Sequence, residues 1–158
     1  MINGLPAHPF LVHFVVVLAL LTAVLAVVCA VWPAARERLV WMVLALALVT
    51  TGATPLTTES GEWLEHHVDK SPLVKEHAEL GDTMVFFSLG LLVAAILLVL
   101  VHRKRLTGAL AAGITVFVIA ASIATTYQVY RIGDSGAKSV WSDALNPSTA
   151  SASADDDK

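Results

Sequence analysis

An all-α integral membrane four-helix bundle, built from two helical hairpins, is the fold class this sequence predicts, and three observations predict it. Of 158 residues, 56% are hydrophobic and 15% are charged, against about 45–50% and 25% in an ordinary soluble domain. Mean hydropathy is +0.73, and the apolar excess lies in four runs rather than in the alternating patterns of a globular core. Between the runs, the cations gather in two short loops, as the hairpin bends of inserted helices do.

The first run, Phe10 to Trp32, spans about 30 Å of hydrocarbon at about 1.5 Å per residue and carries one strongly polar residue, His13. The segment before it contains no Lys or Arg and Trp32-Pro33 follows, so a retained span is expected in place of a cleaved leader. The second run covers about Leu39 to Thr54 and extends into LTTES; the third covers about Thr83 to Val101; the fourth covers about Leu106 to Val129. Arg36 and Arg38 lie in the first bend, and Arg103, Lys104 and Arg105, next to His102, lie in the second. Both bends are therefore expected in the cytoplasm, with both termini and the connector 55–82 on the extracytoplasmic side of the membrane.

That connector holds Glu59, Glu62, Glu65, His66, His67, Glu76, His77, Glu79 and Asp82. Ser71-Pro72 reads as an N-cap with proline at the first helical position, so the third helix is expected to begin near Leu73 and project beyond the bilayer. Glu59 to Val68 reads as an extension of span two or a short interfacial helix, with the bend at Asp69-Lys70. Gly133 to Trp141 has the composition of a turn and is expected to fold back on the outer face. The polar, acidic stretch 143–158 is expected to be a disordered tail, which leaves 1–142 as the membrane domain.

Ten Lys+Arg against thirteen Asp+Glu give a net charge of -3, so no basic field for nucleic acid exists. The single cysteine, Cys29, has no disulfide partner and reads as a small buried hydrophobe. No Ser-His-Asp order, phosphate-binding glycine loop, CxxC or HExxH occurs, so no catalytic residues are assigned and an enzyme is not the expectation. Thr51, Thr58, Thr115, Ser122 and Thr126 fall at helical spacings suited to packing between spans.

An ionisable residue at membrane depth is costly and marks a candidate site. His13 is that residue, with His8 five positions earlier, about 500° of helical rotation away. The two hairpins share a layout: His13 precedes Arg38 by 25 positions and His77 precedes Arg103 by 26. A repeat of this kind is related by an axis along the membrane normal, which predicts that His13 faces His77. Glu62 and His66 share a helical face, as do His77, Gly81, Met84 and Ser88. His13 and His77 are the candidate cofactor ligands, and His8, His13, Glu62 and His77 the candidate metal set. A first-row transition metal suits two histidines with a carboxylate, and a b-type haem suits the two histidines as axial ligands. The alternative is that both histidines bond hydroxyls or backbone carbonyls and only fix the packing.

Gly4 to Phe14 (GLPAHPFLVHF), Gly61-Glu62, Glu76 to Gly81 (EHAELG) and Gly133 to Trp141 (GDSGAKSVW) together resemble the bacterial membrane family named domain of unknown function 2231. The resemblance covers about residues 1–142. It implies a four-span protein, and because some members occur joined to or near Rieske-type iron–sulfur domains, it implies redox work at the outer membrane face. Where the family pattern has a proline this chain has Val15, and Glu62 stands where many members have aspartate. The function expected is an integral membrane redox or metal/haem-binding module used in electron transfer, with an extracytoplasmic redox protein as partner. The alternatives are a cofactor-free accessory subunit of a larger respiratory membrane complex and, last, a small-solute or proton transporter.

Overall fold

The computed structural model of the chain describes residues 8–65 and 71–141. Within them lie five helices, α1 (His8–Val31), α2 (Pro33–Glu65), α3 (Pro72–Asp82), α4 (Met84–Lys104) and α5 (Gly108–Trp141), and no strand. With α3 and α4 taken as one run, four helices are long and apolar enough to cross a membrane. The four-helix membrane bundle expected from the sequence is what the chain forms.

The bends follow local chemistry. Trp32 alone separates α1 from α2, and Pro33 starts α2 at the position where a missing N–H costs nothing. At the other hairpin, Arg105 takes a left-handed conformation (φ 48°) and its N–H closes on the Val101 carbonyl. Gly108 (φ 68°) then admits α5 at a backbone angle that side chains rarely adopt. The Ser71 side chain caps α3 by accepting the Val74 N–H at 3.2 Å, with Pro72 next, as the sequence predicts. Between α3 and α4 the chain scarcely deviates. Thr83 keeps a helical backbone, and the Gln128 amide of α5 donates to the Leu80 carbonyl (3.1 Å) and to the Thr83 hydroxyl (2.6 Å).

One expectation is corrected. Gly133 to Trp141 does not turn back: α5 runs unbroken to Trp141. Lys138 pairs with Asp134 one turn away, and the Ser135 and Ser139 hydroxyls donate to the Ile132 and Gly136 carbonyls of their own helix, so the short polar residues serve the helix instead of a turn. α2 carries through Pro55 to Glu65 as a direct extension of span two, the first of the two forms expected for that stretch. The bend at Asp69-Lys70 and the tail 143–158 fall outside the described residues.

The helices form a ring in which α1 and α4 each pack on both α2 and α5. α1 and α4 also touch across one diagonal, whereas α2 and α5 share no contact. The reason is side-chain size. Ala19, Ala23, Ala26 and Ala30 on α1 and Ser88, Ala94 and Ala95 on α4 are buried along the inner faces, and small residues let helix backbones approach in lipid. Val17, Val24, Phe86, Val116 and Ile123 point outward, as lipid contact requires.

The two halves repeat. His8, Val15, Thr22 and Cys29 recur every seven residues on α1, and His77, Met84, Leu91 and Leu98 do so 69 residues later; apart from the half-buried histidines, all are buried. On the partner helices the step is 75: Val43, Ala47 and Thr50 match Val118, Ser122 and Thr125, all buried. The second hairpin is thus six residues longer than the first at its bend. Tight packing along the diagonal predicts that Ala26→Leu or Ala95→Leu lowers stability in detergent by about 1–3 kcal/mol through overpacking. Val17→Leu on the outer face should change it by no more than about 0.5 kcal/mol. Thermal unfolding midpoints check both, and equal midpoints for all three variants would remove the close diagonal.

Candidate functional site

His8 opens α1 and His77 lies in the middle of α3, so the diagonal approach of α1 and the α3–α4 run brings one imidazole from each half to the same end of the bundle. Their ring centroids are 6.4 Å apart and their planes are inclined at 80°. Both line a half-open cavity of about 520 Å³, whose walls are mainly apolar, including Val12, Val16, Met84, Val129 and Ile132. Glu62, Glu65 and Asp82 also border it. Arg36, Arg38, Arg103, Lys104 and Arg105 belong to the bends at the opposite end, where the Arg103 guanidinium stands 5.9 Å over the Trp41 ring.

Each imidazole is held in the same way. His8 Nδ1 lies 3.2 Å from the Ser60 hydroxyl and 3.1 Å from the Thr57 carbonyl; His77 Nδ1 lies 3.0 Å from the Ser135 hydroxyl. A serine hydroxyl has one proton. Ser60 donates its proton to the Thr57 carbonyl (2.8 Å), and Ser135 donates to the Ile132 carbonyl (3.0 Å). Toward the histidines both hydroxyls can only accept, so the network assigns the proton of each neutral ring to Nδ1. Each Nε2 then carries a free lone pair. Among the described residues, neither Nε2 has a hydrogen-bond partner.

The glycine beside each serine completes the arrangement. A Cβ on Gly61 would lie 2.9 Å from His8 Cε1, and a Cβ on Gly136 would lie 2.9 Å from His77 Cε1. No side chain fits there while the rings keep their places. His8 with Ser60-Gly61 and His77 with Ser135-Gly136 are the same device, built twice.

Of the residues singled out from the sequence, His8 and His77 come together and His13 does not join them. His13 is exposed, and its Nδ1 lies 2.6 Å from the Pro9 carbonyl of its own helix. The expectation that His13 faces His77 is therefore corrected to His8 facing His77. Five residues of helix turn the two side chains about 140° apart, and the seven-residue stripe of buried positions passes through His8. Glu62 is an exposed residue at the cavity border. Among the described residues, no three His, Cys, Asp or Glu side chains are placed to share one metal ion, so the four-residue metal set is not assembled. His66 and His67 lie outside the described residues.

Ser60, Gly61, Ser135 and Gly136 were not singled out from the sequence as a site, although a signal existed. Glu59-Ser60-Gly61 and Asp134-Ser135-Gly136 are both acid-Ser-Gly, and they are separated by the same 75 residues as Thr50-Thr51 and Thr125-Thr126.

A bundle of apolar spans with a duplicated histidine–serine–glycine device at one end defines a multi-pass membrane protein. The chain belongs to the DUF2231 family, described as a predicted membrane protein, whose family model matches residues 4–148. No curated protein matches the chain, and no solved structure does.

The glycine contacts separate two substitutions of one chemistry. Gly136→Ala drives a methyl into His77 and should lower stability by about 1–3 kcal/mol. Gly81→Ala, where a Cβ meets nothing within 4 Å, should leave stability unchanged or raise it by up to about 1 kcal/mol through helix propensity. Unfolding midpoints of the two variants in one detergent decide it, and a Gly136→Ala protein as stable as Gly81→Ala would mean that the ring does not pack there.

Proposed function

We propose that the chain is an integral membrane redox or metal-binding module whose centre is held by the Nε2 atoms of His8 and His77. One observation carries this reading: two imidazoles, each anchored through Nδ1–H and each keeping its Nε2 lone pair, line one cavity. Metal-binding histidines characteristically donate their second ring N–H to an oxygen, which fixes the tautomer and the orientation. The separation suits a shared centre. Opposed metal–nitrogen bonds of about 2.0–2.1 Å, with each ring centre about 1.1 Å behind its nitrogen, place the centroids about 6.3 Å apart; the rings stand at 6.4 Å.

His8 and His77 are the ligands in this reading, Ser60 and Ser135 fix their orientation, and Glu62 borders the cavity without reaching the centre. His13 plays no part. Depth supports exchange of electrons at the membrane surface: His77 to Val101 is 24 helical rises, about 36 Å against about 30 Å of hydrocarbon, so His77 sits near the hydrocarbon edge. A soluble redox protein, of the Rieske type or another, is the implied partner, and a respiratory membrane complex the implied setting.

A purified, detergent-solubilised protein should carry close to one iron, copper or zinc per chain by elemental analysis. His8→Ala and His77→Ala should each lose most of it, and His13→Ala should keep it. Metal retained in both of the first two variants would refute these ligands, and a metal-free native protein would leave the cofactor-free accessory subunit as the reading.

The orientation belongs to the same proposal. The five cations of the two bends favour a cytoplasmic position for them, which puts the histidine end outside, in the inner membrane of a bacterium. A reporter active only in the cytoplasm should be active when inserted at Arg105 and silent when fused after residue 158. The reverse pattern would invert the topology.

A further inference from the structure

We infer that the group bound between His8 and His77 is a planar tetradentate iron chelate of the haem type, a largely apolar macrocycle, rather than a hydrated metal ion. The inference rests on the two-histidine reading above and adds to it the class of the ligand.

The donor count comes first. Among the described residues only two nitrogen donors meet, with no third His, Cys, Asp or Glu placed to join them. A first-row ion bound by two imidazoles alone needs two to four further donors. Water is the only other source for a bare ion, and each ordered water requires about two to four polar partners of its own. Val12, Val16, Met84, Val129 and Ile132 offer none, and the carboxylates of Glu62, Glu65 and Asp82, which border the cavity, are not placed to ligate one ion together with both histidines. A square-planar chelate brings its four equatorial nitrogens with it and leaves two positions open, one on each face. Two imidazoles, one from each half and with ring centroids 6.4 Å apart, supply that number.

Charge points the same way. Neutral imidazoles leave a divalent ion with both of its charges beside mainly apolar walls, with Glu62, Glu65 and Asp82 at the border and not among its ligands, and a charge without a direct partner is disfavoured there. A macrocycle that contributes two negative charges cancels those of ferrous iron. It also buries apolar area against the same valines and isoleucine, which favours binding in proportion to the area covered.

Size is the third argument. Four waters at about 30 Å³ each occupy about 120 Å³, less than a quarter of the cavity's 520 Å³. The space beside Gly81, where a Cβ would meet nothing within 4 Å, is part of that excess, since Gly81 lines the cavity. The cavity is half-open, so the polar edge of a macrocycle can lie at its mouth while its apolar edges face the valines.

Titration of the detergent-solubilised full-length protein with hemin, and separately with Zn²⁺, tests this. Hemin should bind one per chain and give a low-spin, six-coordinate spectrum with sharp split visible bands on reduction. His8→Ala and His77→Ala should each weaken hemin binding at least tenfold and leave a high-spin spectrum. Added imidazole should restore the low-spin form in both variants, which shows that they remain folded, and His13→Ala should behave as the native protein does. If Zn²⁺ binds one per chain through both histidines while hemin does not bind, the macrocycle is wrong and the two-histidine centre stands. A native-like hemin spectrum in both histidine variants also overturns the inference. If neither hemin nor Zn²⁺ binds, both readings fall together.

Discussion

The close crossing of α1 and α4 through the middle of the bundle is the constraint on which the rest of the structure depends. Alanines, Cys29 and Ser88 are interleaved with Val15, Thr22, Met84, Leu91 and Leu98 on the inner faces of those two helices, and the small residues let the backbones pass near one another while α2 and α5 stay apart. Since hydrocarbon supplies no hydrophobic drive between helices, that approach rests on contact between small side chains. It also decides which residues meet at the end of the bundle. A stripe with a step of seven residues leads from Cys29 up to His8, and its counterpart leads from Leu98 up to His77. The imidazoles arrive together because the stripes below them interlock.

The second requirement is satisfaction of polar atoms where water is scarce. Threonine hydroxyls on α2 return their protons to carbonyls one turn back, as Thr50 and Thr54 do, and Thr51 reaches across to the Ser88 carbonyl of α4. The same habit fixes the histidines. A serine that has already given its proton to its own helix can serve a neighbouring imidazole only as an acceptor, so a local rule of helix hydroxyls dictates a tautomer on another helix. Ser122 is the exception among the described residues, with its hydroxyl buried and no partner.

Most of the fold was legible in the sequence because length, hydropathy and cation placement act locally along the chain. The N-cap at Ser71-Pro72 could be read for the same reason. The stretch 133–141 could not, because composition alone does not distinguish glycine in a turn from glycine required by a ring packed against a helix, and Gly136 is the second kind. His13 drew attention as the lone polar residue inside an apolar run. Polarity within a run does not reveal direction, however, and the buried positions Val15, Thr22 and Cys29 place His8 on the inner side instead. The internal repeat was visible, but in the wrong register. Spacing counted from the arginines of the bends misaligns the halves, because the bends are where the halves differ in length. The acid-Ser-Gly triplets and paired threonines keep register because they lie on helices that pack.

The unequal bends carry a consequence for ancestry. Six extra residues at the second hairpin leave the paired stripes, the serines and the glycines undisturbed, so the two halves tolerate separate connections while answering to one axis. A chain of half this length, associating with a copy of itself around that axis, would already present two imidazoles and two serine–glycine steps. Fusion of two such units would free each copy to drift, and matching positions do differ: Glu62 corresponds to Ala137 and Thr54 to Val129. A twin-built frame of this kind lets the surface of one half change on its own while the paired histidine–serine–glycine steps keep their register.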